Sequence, residues 1–232
     1  MSNNSKQNST EYLQNCLKST DFLDFDIQEV QDFAHKNTKE TQTNTEKAIS
    51  LYLAVRDGFF YNPYHLDLTR TGLKASSLLK RNHGYCIEKA VLLASVARFV
   101  GIPSRLFFGN VRNHIATEKL ETILKTNLLV FHGSTELFLE GKWVKVTPAF
   151  NKALCEKLGV ATLEFNGVDD SLFQQYSNNG AQFMEYLEEY GSFEDMPFDL
   201  FITELKNHYK HLIDGKEINI EGFFVRFEAT NV

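Results

Sequence analysis

Arg81–Arg105, RNHGYCIEKAVLLASVARFVGIPSR, sets one cysteine behind a glycine and ahead of a long apolar run. Ile87, Ala90, Val91, Ala94 and Ala97 recur at helical spacing, and Leu92, Leu93 and Val96 fill most of the remaining circumference. A helix that is apolar nearly all round belongs at the centre of a fold. Gly101 suits a left-handed cap and Pro103 cannot continue a helix, so the helix ends there. Cys86 therefore falls in or beside the first turn, where unpaired N–H groups and the positive end of the helix dipole favour a thiolate. That position predicts a thiol pKa below the roughly 8.5 of free cysteine. Read alone, Cys86 is equally a core thiol, because free cysteines are among the most buried residue types.

The chain around this stretch has 232 residues, 43% of them hydrophobic and 23% charged, a globular balance with enough length for a real core. A net charge of −6 and the lack of any basic run argue against nucleic acid or an anionic membrane as partner. Apolar stretches break well before the roughly 18 residues of a membrane span. Residues 1–10, MSNNSKQNST, are polar and are expected to be disordered, leaving 11–232 as a single domain. Cys16, Cys86 and Cys155 are odd in number and widely spaced, which predicts free thiols in a reducing, cytoplasmic setting. His83 and Cys86 have no second ligand pair, so neither a metal nor any other cofactor is implied.

Upstream, TNTEKAISLYLAVRDGFFY opens with a capping box, Thr43 and Glu46, ahead of an apolar face at Ala48, Leu51, Tyr52 and Val55. A short helix near Ala75–Leu79 leads to Cys86; a strand from Arg105 to about Val111 and a helix over Glu118–Lys125 follow it. In LLVFHGSTELFLEGKWVKVTP the period then changes to alternation, with Val130, His132, Ser134, Glu136 and Phe138 on one face. A hairpin turn at Glu140–Gly141 sets Phe138 opposite Trp143, Leu137 opposite Val144 and Glu136 opposite Lys145: aromatic, aliphatic and opposite-charge pairs in succession. The same register sets Ser134 opposite Thr147 and His132 opposite Ala149, with Thr147 and Asn151 diagonal to His132. Amphipathic helices are expected at Gly180–Tyr190 and Phe198–Leu212, and a final strand pair or extended tail at Ile218–Ala229.

GYCIEKAVLLASVARFVGIPSR resembles the nucleophile motif of transglutaminase-like cysteine enzymes (microbial transglutaminase homologues), G-x-C before a small and aliphatic helix and then GIP-x-R. FHGSTELFLEGKWVKVTPAFN resembles their second motif, a histidine-bearing strand followed by a G-x-W hairpin, and VRDGFFY resembles the helix that precedes the nucleophile helix. The resemblance implies a papain/transglutaminase-like α+β fold, its central nucleophile helix packed on an antiparallel β-sheet. It also implies Cys86 as nucleophile and His132, 46 residues downstream, as base. The family places an aspartate just before the proline that follows the G-x-W strand, and Thr147 stands there instead. Alignment gives Thr147 the third role, with Asn151 the second candidate because an amide carbonyl can orient a histidine. Tyr85 and His83 flank the thiol as candidate cleft or oxyanion residues. The expected function is attack on an amide or ester carbonyl, as protease, amidase or acyl transferase, with a peptide or protein substrate. The alternative is a binding module that keeps the fold with an incomplete triad.

Overall fold

A computed structural model describes residues 9–114, 118–172, 176–212, 217–220 and 223–227. The disorder expected for residues 1–10 falls mostly outside them. Eight helices are described: α1 Thr10–Asn15, α2 Gln28–Asn37, α3 Asn44–Gly58, α4 Ala75–Leu78, α5 Cys86–Phe99, α6 Glu118–Leu124, α7 Lys152–Leu158 and α8 Phe198–His208. Nine strands alternate with them: β1 Phe60–Tyr61, β2 His65–Leu68, β3 His83–Gly84, β4 Ser104–Asn113, β5 Leu128–Leu139, β6 Lys142–Val146, β7 Met184–Phe193, β8 Glu217–Ile220 and β9 Phe223–Phe227. Among the described residues, no helix is long and apolar enough to cross a membrane.

The nucleophile-motif helix is the axis of the fold. Every residue of α5 from Cys86 to Arg98 is buried. Its start is fastened by Glu88, whose carboxylate accepts from the Tyr85 N–H at 3.0 Å and from Arg81 at 2.6 Å. Gly101, at φ +86°, ends it. The charges inside α5 are all spoken for. Lys89 donates to the carbonyls of Arg56, Phe59 and Ala149 at 2.7–2.8 Å, and Arg98 to those of Ser104, Lys18 and Glu194. Burial pulls the Lys89 pKa down to about 7. Three acceptors at ammonium geometry oppose that shift, since only the charged form has three donors. α2, α3 and α4 pack on one side of α5, and β4 and β5 on the other.

The main sheet runs β6-β5-β4-β7 and is antiparallel throughout. The β5–β6 hairpin turns at Glu140–Gly141 with φ of +48° and +82°, the primed geometry that matches strand twist. Its register is Phe138↔Trp143, Leu137↔Val144 and Glu136↔Lys145. Glu136 nevertheless takes its ion pair from Arg105, directly opposite it on β4 and stacked 4.1 Å over Trp143. Lys145 sits over the Phe107 ring instead. A second sheet, β2-β9-β8, is mixed, with β2 and β9 parallel.

Residues 184–193 depart from the helix expected at Gly180–Tyr190: they form β7, paired along β4 from Met184↔Asn113 to Phe193↔Leu106. Phe183, Tyr186, Leu187 and Tyr190 fit a helical stripe, but the free edge of β4 outweighs local propensity. The Arg112–His114 cluster is pinned to this strand, Arg112 and His114 both meeting Glu185.

Candidate active site

Two backbone devices aim the site. β5 carries a bulge opposite β4, where pairing steps from Gly109↔His132 to Val111↔Leu129. Within it Phe131 adopts φ +62°, uncommon for a bulky residue and held because the surroundings over-determine it. Asn110 Oδ1 accepts from the Phe131 N–H at 3.0 Å, and Tyr209 Oη accepts from the Val130 N–H at 2.9 Å. A bulge re-aims the following side chain, here His132. The second device is Gly133. A Cβ there would lie 3.0 Å from the Ile87 Cα and 3.2 Å from its Cγ1, so only glycine lets β5 come this close to the start of α5.

Cys86 and His132 consequently line one cleft, together with Tyr61, Tyr85 and Tyr209. Cys86 is 6% exposed and His132 2%. The backbone N–H groups of Gly133 and Ile87 favour the thiolate. Burial outweighs them and pushes the thiol up to about 11, the opposite of the lowering expected from the helix start. Burial likewise pulls the His132 imidazole down to about 4. Neither ring nitrogen of His132 has a hydrogen-bond partner among the described residues. Burial in this shared cleft thus favours a neutral thiol and a neutral imidazole over an ion pair.

The other sequence candidates divide. Tyr85 lines the cleft, and its hydroxyl is buried without a partner among the described residues. His83 stacks edge-on to His65 with ring centroids 5.5 Å apart and is not part of the cleft wall. Thr147 shares a small adjoining pocket with His132, and its hydroxyl lies 2.8 Å from Ser134 Oγ. Asn151 caps α7, and its Oδ1 accepts from the Tyr61 N–H at 3.0 Å. It ties β1, and with it the Tyr61 wall, to the end of the hairpin. Asn110 and Gly133 escaped the sequence reading. The one legible signal was glycine next to the histidine, which marks a bulge or a close backbone approach.

A model of the transglutaminase-like superfamily matches residues 31–148, from α2 through the hairpin to the position after Thr147. The chain belongs to the transglutaminase-like superfamily. No curated protein matches it. Among solved structures, a candidate cysteine protease from Cytophaga hutchinsonii is similar at 18% identity and a TM-score of 0.47, over 60% of this chain and 42% of that one. The nucleophile motif, and the second motif as far as Pro148, lie inside the matched region of this transglutaminase-like chain, whereas α8 and β9, which wall the cleft, lie beyond it.

Proposed function

We propose that the chain is a thiol enzyme in which Cys86 attacks an amide or ester carbonyl and His132 serves as its base. The observation that carries this reading is the shared cleft: a thiol at a helix start and an imidazole whose nitrogens are uncommitted line the same space. With both groups neutral at rest, attack proceeds by general-base catalysis. His132 takes the thiol proton as sulfur bonds to the carbonyl carbon, and returns it to the leaving amine or alcohol. In this reading the Gly133 and Ile87 N–H groups, which favour negative charge at the sulfur, donate to the developing oxyanion. The resulting thioester passes its acyl group to water or to an amine.

Thr147 occupies the third position. Its hydroxyl supports the strand beside His132 through Ser134 and cannot stabilise an imidazolium as a carboxylate would. A low imidazole pKa and an aspartate-free face belong together in this reading. The test is intact-mass detection of an acyl adduct on Cys86 after mixing with an activated ester. The adduct is expected in the native chain and absent from Cys86→Ser. Turnover that persists in Cys86→Ser overturns the reading. The binding-module alternative predicts no adduct at all.

A further inference from the structure

Beyond Cys86 and His132 the cleft continues as an apolar channel. Counted with the solvent at their mouths, the cleft spans about 580 Å³ and a second space beside it about 350 Å³. Leu66, Leu68, Leu124, Leu205, Tyr209 and Phe223 line both, so the two spaces lie against each other across a shared apolar wall. Leu212, Val225 and Phe227 also line the adjoining space. Among the described residues, no charged side chain lines either space. Among them Tyr209 carries the one polar side-chain group of the adjoining space, and it is already used: it accepts from the Val130 N–H and donates to the Leu128 carbonyl at 2.7 Å.

On the thiol-enzyme reading above, we infer that this channel receives the acyl part of the substrate, and that this part is an aliphatic chain of medium length. The nucleophile stands at one end, so a chain lying in the channel delivers its carbonyl to Cys86. A peptide brings one donor and one acceptor per residue, and walls of leucine, valine and phenylalanine leave these unsatisfied at a cost. An alkyl chain brings neither. Phe201, Leu205 and Tyr209 from α8 and its end, and Phe223, Val225 and Phe227 from β9, all lie outside the region matched by the superfamily. Leu66, Leu68 and Leu124 complete the wall from within that region. In the reaction, the sulfur bonds to the acyl carbon, the bond from that carbon to its ester oxygen or amide nitrogen breaks, and the leaving group takes the proton from His132. Water or an amine then releases the chain by attack on the thioester.

The experiment uses the full chain and p-nitrophenyl esters of butanoic, hexanoic, octanoic and decanoic acids, with Cys86 acylation followed by intact mass. Rates are divided by those of free N-acetylcysteine. The normalised rate should rise at least about tenfold from butanoyl to octanoyl, a modest share of what burying four methylenes can supply. Leu66→Asn should flatten the series. A flat or falling series with Cys86 still acylated overturns the channel inference and leaves the thiol enzyme standing, as does faster acylation by an apolar peptide ester. Thermal melting of Cys86→Ala with decanamide supplies an arm that needs no chemistry. A rise in Tm that Leu66→Asn abolishes supports the channel even if every ester fails, in which case the thiol reading alone falls. No rise overturns the inference.

Discussion

Replacing His132 by glutamine removes a titrating group without removing a buried polar side chain, and the structure predicts what this does to acid stability. Burial holds the native imidazole near about 4, against 6.5 for an unperturbed histidine. Between those values the unfolded chain binds the proton and the native chain does not. Stability therefore falls as pH falls from 6.5 towards 4. At pH 4.5 the unfolded imidazole is almost wholly charged and the native one about a quarter so. At about 1.36 kcal/mol per pKa unit, the native chain should lose roughly 2 kcal/mol between pH 7 and pH 4.5 through this group. Glu88 acts in the opposite sense, because burial raises its carboxyl to about 7 and favours the protonated native state. It remains in both proteins and cancels in their difference. Urea unfolding of the native chain and of His132→Gln at both pH values gives the quantity directly. The pH-induced loss should be about 2 kcal/mol smaller in the variant. Parallel losses, within about 0.5 kcal/mol, would refute the claim that this imidazole is buried without a stabilising partner.

Asn110→Ala strips the acceptor from the Phe131 N–H inside the bulge and should cost about 1–3 kcal/mol in urea unfolding. Its turnover should drop further than its stability alone explains, since His132 loses its aim. Gly133→Ala sets a methyl 3.0 Å from the Ile87 Cα, a backbone atom with little room to yield. An unfolding cost of about 1–3 kcal/mol is expected, with slower Cys86 acylation by activated esters. Lys89→Met leaves the Arg56, Phe59 and Ala149 carbonyls without their donor, and chemical denaturation should register a loss of about 2–4 kcal/mol. Thr147→Asp restores the carboxylate of the superfamily pattern beside His132. The imidazole pKa, followed by NMR, should rise, and acylation at pH 6 should quicken.

The hairpin was legible because three side-chain pairs had to agree with one turn, and Glu140–Gly141 alone satisfied them. The α5 helix was legible because its apolar circumference has no other use than burial. The partner of Glu136 was not: cross-strand charge pairing pointed to Lys145, yet β5 has a neighbour on each side, and Arg105 on β4 sits opposite the same carboxylate. β7 was misread because its stripe of aromatic residues satisfies a helical period, while the edge of β4 that captures it is distant in sequence. The bulge at Phe131 leaves no residue-type signal, since a buried phenylalanine at positive φ is imposed by Asn110 and the packing around it. Burial of Cys86 was one of two readings the sequence offered, and its effect on the thiol was not legible. A helix start argues for a low thiol pKa, and only the closed cleft reveals that desolvation prevails over it.

The central claim is that Cys86 and His132 act as one unit. Its most direct measurement is the rate of acyl-adduct formation on Cys86 by p-nitrophenyl butanoate at pH 7, in the native chain and in His132→Ala. Burial raises the thiol and leaves little thiolate at this pH, so removal of its proton by the imidazole should speed the attack. The account predicts a single adduct on Cys86, slowed about 10²-fold or more without His132. Equal rates in the two proteins, or an adduct that forms elsewhere on the chain, would contradict it.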